Sequence, residues 1–191
     1  MSFPRRGLLA VSLTTLLLPI ACTKQASKLP AYDVVPKFTM IDSEGHPFDS
    51  SALAGKVWIA DFIYTSCPGP CPRMTSQMHK LQQQLKSDGD VRLVSFSVDP
   101  QHDSPAVLND FAHRFGGPAD DWIFLTGSPD TVHLVAYKTF HTGDVIGNID
   151  HSTKFVLVDK RGVIRGYYSS LEGDSIHALL GDLDVLRKES S

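Results

Sequence analysis

The feature that most restricts the fold of this chain is a buried-strand pattern that ends just before two cysteines. Residues 56–64, KVWIADFIY, have the length of a strand and are almost continuously apolar, which is typical of a strand covered on both faces of a sheet. Cys67 and Cys71 follow at once, and apolar residues then recur at helical spacing from Met74 to Leu85. The sequence therefore predicts a central strand, a cysteine loop and an amphipathic helix, in that order.

Strand and helix patterns alternate along the rest of the chain. A leading hairpin is predicted at 38–51, and capping pairs such as Ser104-Pro105 mark the later helix starts. The later predictions are a helix at 72–88, a strand at 91–98, a helix at 104–115, a strand at 122–125, a helix at 128–140, a hairpin at 154–168 and a helix at 174–186. This order indicates an α/β fold in which helices flank a central mixed sheet. With two cysteines at a strand-to-helix junction, it resembles a thioredoxin-like fold that carries an N-terminal β-hairpin and an inserted helix-strand unit.

The first residues are typical of an export signal. Arg5 and Arg6 precede fifteen uncharged residues, 7–21, which are fewer than the roughly 20 that span a bilayer as a helix. The sequence LPIAC at 18–22 resembles a bacterial lipobox, which implies that Cys22 becomes lipidated; ordinary cleavage and an uncleaved anchor are the alternatives. The domains expected are an export or lipoprotein signal at 1–21, a flexible tether at 22–33, one folded domain at 34–188 and a tail at 189–191.

The charge of the chain argues against a nucleic-acid partner. The chain has 18 Lys and Arg against 21 Asp and Glu, and loss of residues 1–21 removes two positive charges, so the net charge changes from -3 to -5. A domain that binds nucleic acid usually carries a basic surface instead. The three cysteines are also too few for a small scaffold held by several disulfides.

The pair Cys67 and Cys71 suits redox or metal chemistry better than structural cross-linking. A disulfide across three intervening residues closes a very short loop and so removes little entropy from the unfolded chain. A helix N-terminus stabilises the thiolate, so both cysteines are expected to ionise more readily than usual. Pro68 and Pro70 stiffen the loop between them. Thiolates attack disulfides and also bind soft metals, so position alone leaves both chemistries open.

A third metal ligand would separate these chemistries, and His151 is the candidate. The last proline is Pro129, so residues 130–191 cannot provide the cis-proline that thioredoxin-like oxidoreductases set opposite their cysteines. By fold analogy, His151 stands across from the cysteine loop, just before the strand at 154–159. Two thiolates favour Cu(I), and an added imidazole also accommodates Cu(II), with zinc as the usual competitor.

The remaining candidates are interpreted as surface or core residues. Seven histidines fall in this class, namely His46, His79, His102, His113, His133, His141 and His177. Core packing is the interpretation for Trp58, Tyr64, Met74, Met78 and Trp122.

Three motifs, in this order, resemble those of the Sco/SenC family of thioredoxin-like copper proteins. They are TSCPGPCPRM at 65–74, SVDPQHDSP at 97–105, and DHS at 150–152 before the strand FVLVD. The resemblance runs from about Val35 to Arg187. It implies export, attachment to a membrane that faces the bacterial periplasm, and a role in building the binuclear copper site of cytochrome c oxidase.

The resemblance also implies a ligand set. Copper, as Cu(I) or Cu(II), is expected to be bound by Cys67, Cys71 and His151. The acidic residue at Asp99 is expected to influence the metal site, although an Asp-Pro turn that only ends a strand explains it equally well. Asp150 is expected to orient His151.

The leading functional hypothesis is a membrane-tethered copper chaperone, held by a lipid anchor, whose exposed cysteine loop exchanges copper with incoming ligands. Its implied partners are the copper-site subunit of cytochrome c oxidase, a periplasmic copper donor and a thiol-disulfide reductase that restores the reduced cysteines. The alternative is a thiol-disulfide oxidoreductase that reduces the cysteines of an oxidase subunit. A copper or redox sensor is a third hypothesis.

Overall fold

The computed structural model of this chain describes residues 29–85, 89–142 and 152–189. Within these ranges the chain forms one seven-stranded sheet with helices on both faces, as the sequence predicts. Three residues assigned roles from the sequence, Cys22, Asp150 and His151, lie outside the described residues.

The sheet is mixed, and its cysteine-bearing strand lies near the middle. The strands are β1 (Thr39–Asp42), β2 (Pro47–Asp49), β3 (Val57–Ile63), β4 (Val91–Ser97), β5 (Trp122–Thr126), β6 (Lys154–Val158) and β7 (Ile164–Ser169). Their order across the sheet is β2-β1-β5-β4-β3-β6-β7. β3, β4 and β5 run parallel, whereas β6 pairs antiparallel with β3. All seven residues of β3 are buried, which confirms the doubly covered strand.

The helices begin close to the predicted caps. They are α1 (Pro70–Leu85), α2 (Pro105–His113), α3 (Pro129–Val132) and α4 (Gly173–Lys188), with a 3-10 helix at Ser50–Leu53 and a π-helix at His133–Thr139. The hydroxyl oxygens of Ser104 and Ser128 accept backbone hydrogen bonds at the starts of α2 and α3. In the described ranges, no helix has the length and apolar character needed to cross a membrane.

The helix predicted at 128–140 is wrong in its second half, where the backbone widens into a π-helix. The hydroxyl of Thr139 donates to the carbonyl of Leu134 at 2.9 Å, and that of Thr142 donates to the carbonyl of Ala136 at 2.7 Å. Side chains that capture carbonyl groups in this way compete with the regular helical bonds, and a periodicity pattern does not reveal them.

Alternate residues of β3 divide between two cores. Ile59 and Ile63 pack in a core that also receives α1, α2 and α4, and this core contains both Cys67 and Cys71. Trp58 and Phe62 pack in the core on the other face, beneath the π-helix. The cysteine loop therefore closes over the α1 side of the sheet.

The N-terminal segment joins the sheet at the end opposite the cysteine loop. Residues 32–35 pair with the start of β7, where Tyr32 N–H donates to Ile164 and Val35 N–H donates to Gly162, at 2.9 and 2.8 Å. The guanidinium of Arg165 donates to the carbonyls of Leu29 and Pro30 at 3.1 and 2.7 Å. It also pairs with Asp159 at 2.8 Å, and both side chains of this pair are only 4% exposed. One buried cation thus holds the segment to the domain.

Replacing this cation should destabilise the domain strongly. Arg165→Met removes the buried cation that pairs with Asp159 and leaves this carboxylate with the exposed Arg161 and two backbone N–H groups, and breaking a buried pair typically costs about 3 kcal/mol or more. Urea unfolding followed by circular dichroism measures the loss. The exposed Arg114, changed to Met, is the control and should cost less than about 1 kcal/mol. Equal losses in the two variants would show that the buried pair contributes nothing special.

Candidate metal centre

The cysteine loop is the short connection between β3 and α1. β3 ends at Ile63 and α1 begins at Pro70, two residues earlier than predicted, so Cys71 lies in the first turn of the helix. The backbone N–H of Cys67 donates to the carbonyl of Tyr64 at 3.3 Å, which closes a tight turn before the helix. The buried Met74 and Met78 confirm the predicted inward face of α1 and hold this helix against the sheet.

The two cysteines are free thiols that lie against each other inside the domain. Cys67 is 6% exposed and Cys71 is 1% exposed, and neither forms a disulfide. The thiol of Cys71 donates a hydrogen bond to the sulfur of Cys67. The expected exposed loop site is therefore wrong for the two sulfurs, because the loop folds them into the core beneath α1.

The environment of Cys67 stabilises its thiolate. Burial acts to raise the pKa of this thiol, but several hydrogen bonds outweigh it. The donors are the thiol and backbone N–H of Cys71, the backbone N–H of Gly69 and the hydroxyl of Tyr64. The pKa of Cys67 consequently lies below its ordinary value, as the helix N-terminus predicts.

Cys71 behaves in the opposite way, and the prediction that both cysteines ionise readily is wrong for it. Burial is the largest cause of the rise in its pKa to about 12, and the hydrogen bond that it donates to Cys67 is the next. The negative charge of Asp61 raises it further. Cys67 is therefore the cysteine of the pair that ionises first, and the proton is retained on Cys71.

Tyr64 is a member of the site that sequence reasoning assigned to core packing. Its hydroxyl donates to the sulfur of Cys67. Burial raises the pKa of Tyr64 to about 12, and its bond to Cys67 and the charges of Cys67, Cys71 and Asp99 add to the rise. The sequence interpretation placed Tyr64 in the buried strand at 56–64, so no local signal separated it from the core aromatics, whereas the structure ends that strand at Ile63.

Asp99 lies close enough to Tyr64 for its charge to act on that hydroxyl. Its carboxylate also accepts a hydrogen bond from Nδ1 of His102, with nitrogen-oxygen distances of 2.9 and 2.8 Å. The hydrogen bond to Asp99 raises the pKa of His102. His102, interpreted from the sequence as a surface or core residue, is therefore the direct partner of Asp99. The spacing of three residues between Asp99 and His102 was the sequence signal for this contact.

A buried carboxylate fastens the cysteine loop to the end of β4. Asp103 is fully buried and accepts hydrogen bonds from the backbone N–H and the hydroxyl of Thr65, the latter at 2.5 Å. It also accepts from the hydroxyl of Ser97 at 2.7 Å. Asp103 thus joins the motifs TSCPGPCPRM and SVDPQHDSP, and these hydrogen bonds involve neither sulfur.

A second buried carboxylate, Asp61 on β3, has no such partners. It is 0% exposed, and neither of its oxygens has a hydrogen-bond partner that meets normal geometry. Burial raises its pKa to about 7, although the hydroxyl of Ser95 on the neighbouring strand acts in the other direction. Its negative charge raises the pKa of Cys71. The sequence shows Asp61 as a lone acid in an apolar run, but it does not reveal that the carboxylate lies near Cys71.

His151 and Asp150, which sequence reasoning placed opposite the cysteines, lie outside the described residues. The strand that follows them is described. β6 is antiparallel to β3, with Ala60 opposite Val156, so β6 begins at the end of the sheet where β3 gives way to the cysteine loop. Ser152 and Thr153, the described residues just before β6, therefore lie at the cysteine end of the sheet.

In the described ranges, one group of three potential metal ligands lies within reach of a single ion, and it is not the cysteine site. It comprises Asp42, Glu44 and His46 in the exposed turn between β1 and β2. The Asp42 carboxylate there accepts from the backbone N–H groups of Glu44 and His46 at 2.9 and 2.8 Å, so it already has a structural role.

Comparison with known proteins adds a family to this geometry. The model of the family described as SCO1/SenC matches residues 26–184. A SCO1/SenC family lipoprotein from Bacillus anthracis str. Ames has a solved structure that is 33% identical with a TM-score of 0.74, and the match covers 81% of this chain and 95% of that one.

Two further solved structures are similar to this chain. BsSco, described as a Sco family cytochrome c oxidase assembly protein with a disulfide switch, is 33% identical with a TM-score of 0.73 and coverage of 86% and 98%. Copper-bound ScoI of Arabidopsis thaliana is 24% identical with a TM-score of 0.67 and coverage of 82% and 99%, a likeness that shows the fold alone. These neighbours confirm the thioredoxin-like fold.

Removing the unpartnered carboxylate should stabilise the domain at high pH. The pKa of Asp61 is higher in the folded than in the unfolded chain, so ionisation costs stability increasingly from about pH 4 to about pH 7 and by a constant amount above that. Asp61→Asn should therefore raise the unfolding free energy by on the order of 3 kcal/mol at pH 8 and far less at pH 4. Urea unfolding at the two pH values measures this, and a gain that does not depend on pH would contradict it.

Removing the tyrosine hydroxyl should raise the pKa of Cys67. Tyr64→Phe deletes one hydrogen bond to the thiolate, and a bond to a charged group is worth about 1.5 kcal/mol, or about one pH unit. The pH dependence of Cys67 alkylation by iodoacetamide, located by mass spectrometry, measures the change. Tyr137→Phe, on the π-helix, is the control. An unchanged profile in Tyr64→Phe would exclude the proposed hydrogen bond.

Proposed function

The chain belongs to the SCO1/SenC family, and from that premise we propose that it is a membrane-tethered copper chaperone that assists assembly of the copper centre of cytochrome c oxidase. Cys67, Cys71 and His151 are the proposed copper ligands. The observation that carries the proposal is the pair of free, buried cysteines, shielded from water at the end of the sheet where β6 begins.

The donor set suits copper as cargo. Two sulfur ligands favour Cu(I), and an imidazole nitrogen added to them also accommodates Cu(II). A ligating cysteine must be deprotonated, so metal binding releases protons. Cys67 has a lowered pKa and offers the first thiolate, whereas Cys71 retains its proton until the metal competes for its sulfur. Oxidation of the pair to a disulfide removes both sulfur ligands.

The nearby polar groups have supporting roles in this proposal. Tyr64 stabilises the Cys67 thiolate, and Asp103 fixes the loop through Thr65. Asp99 acts on the site through its charge and is itself held by His102. Asp150 is proposed to orient the ring of His151 through a hydrogen bond to the nitrogen that does not bind copper.

The proposed setting is the bacterial periplasm, with lipidated Cys22 as the membrane anchor. The lipobox-like sequence before Cys22 supports this, as does the likeness to the Bacillus anthracis protein described as a lipoprotein. The proposed domains are a signal at 1–21, a tether at 22–33 and the Sco domain at 34–188, and the last residues of that tether, 29–33, are held against β7 and Arg165. The proposed partners are the copper-site subunit of the oxidase, a periplasmic copper donor and a thiol-disulfide reductase.

A second candidate function is thiol-disulfide exchange with an oxidase subunit, and the asymmetry of the pair favours it. In such an exchange, the Cys67 thiolate attacks a substrate disulfide and forms a mixed disulfide. Cys71 then loses its proton and attacks the sulfur of Cys67, which forms the Cys67–Cys71 disulfide and releases the substrate as two thiols. The buried Asp61 lies where its charge acts on Cys71. The disulfide switch identified in BsSco also fits this candidate.

Anaerobic copper titration of the reduced full-length chain tests the leading function. The wild type should bind one equivalent and develop thiolate-to-copper charge-transfer absorption. His151→Ala should lose at least about 100-fold in copper affinity, because a ligand is removed, whereas substitutions of groups that only support ligands cost about 10- to 100-fold. His133→Ala, an exposed histidine on the π-helix, is the matched control and should bind like the wild type.

Insulin reduction by the same variants separates the two candidates. A reductase should keep its rate in His151→Ala and should not need copper. Full copper affinity and an unchanged spectrum in His151→Ala would falsify the proposed ligand set.

A further inference from the structure

Next to the cysteine pair, a groove runs between α1 and α4. Its volume is about 540 Å³, and Pro72 and Arg73, which follow Cys71 directly, form part of its lining. The opposite wall comes from residues 170–173, at the start of α4, and from the next two turns of that helix. Both helices pack on the same face of the sheet, but they stand apart where the groove lies. One of its ends is therefore at the cysteine loop.

The α1 wall of the groove carries unpaired positive charge. Arg73, Gln77, Lys80 and Gln84 line it at a spacing that places them on one helix face, with the two cations two turns, about 10.5 Å, apart. Arg73 and Lys80 are exposed and form no ion pair within the described residues. The sequence of α1 contains no acidic residue, although the chain as a whole has a net charge of -3. The α1 wall of the groove is therefore locally basic, on a chain whose net charge is negative.

The floor and far wall of the groove are more apolar. Ile176 and Leu180 of α4 lie at its floor, and Leu171 at its rim is 38% exposed. His177 also lines the groove, and Glu172 is the one acid among its lining residues. Aliphatic side chains between cationic ones suit a peptide segment that carries carboxylates and at least one apolar residue.

We propose that this groove is the docking site for an acidic segment of the protein that exchanges copper with Cys67 and Cys71. The inference rests on the proposed function and names the chemistry of the partner. Arg73 and Lys80 attract and orient the carboxylates of the segment, while an aliphatic residue of the segment contacts Leu171 and Leu180. Because Arg73 is two residues from Cys71, a partner seated in the groove is brought next to the sulfur pair.

Binding to a purified partner tests the docking site separately from copper. The probe is the soluble domain of the oxidase subunit that carries the binuclear copper site, titrated calorimetrically into the reduced, metal-free, full-length chain. Arg73→Glu/Lys80→Glu should weaken binding about tenfold or more at low salt and should reduce its dependence on salt. The copper affinity of this variant, measured alone, should equal that of the wild type.

A control with the same change in net charge is available on the other face of the sheet. Lys37 and Lys138 are exposed and lie with the core that is opposite to α1 and α4. Lys37→Glu/Lys138→Glu should change binding by less than about twofold. A further variant, Gln77→Trp, fills the groove without changing charge and should weaken binding as the reversal of charge does.

The outcomes are distinct. Equal weakening by the two charge-reversal variants, or no weakening by either, overturns the docking site. Absence of wild-type binding to the probe overturns the assignment of this partner. Self-association of the chain that is lost in Arg73→Glu/Lys80→Glu would assign the groove to a second copy of the chain and would likewise overturn the proposed partner. A chain that binds the probe through the groove but binds no copper would refute the proposed function and leave the docking surface standing.

Discussion

The complete burial of β3 is the constraint on which the site depends. Because this strand is covered on both faces and lies between β4 and β6, the chain leaves it at the end of the sheet and immediately enters the core beneath α1. The two sulfurs are thereby placed in a dry environment, where a hydrogen bond between them is stronger than it is in water. The opposite pKa shifts of Cys67 and Cys71 result from this single packing arrangement.

The sequence was sufficient for the order of elements and for the inner face of α1, because period-two and period-3.6 patterns report burial directly. It was insufficient wherever a side chain finds a partner far along the chain. The difference in pKa between Cys67 and Cys71 depends on depth and on Tyr64 and Asp61, which no local pattern reveals. The π-helix at 133–139 follows from threonine hydroxyls that capture carbonyl groups. The bond between Asp99 and His102 was the easiest to overlook, since an exposed histidine is usually of no consequence.

Three buried carboxylates differ in role, since two of them stabilise the fold and the third acts on the cysteine site. Asp103 is satisfied by Thr65 and Ser97, and Asp159 by Arg165 and backbone N–H groups, so both hold the shape of the domain at either end of the sheet. Asp61 between them has no such partners and opposes folding whenever it is charged. Unpartnered acids of this kind are seldom kept for stability, and this one acts on Cys71.

The attachment of the N-terminal segment has a mechanical consequence. Residues 32–35 lie along the start of β7, and Arg165 grips the carbonyls of residues 29 and 30, at the far end of the sheet from the cysteines. A force applied through the preceding chain is therefore borne first by this edge pairing and by Arg165. The strands in between separate that load from the turn at Tyr64 and Cys67. Tension in the N-terminal segment therefore leaves the spacing of the two sulfurs unchanged.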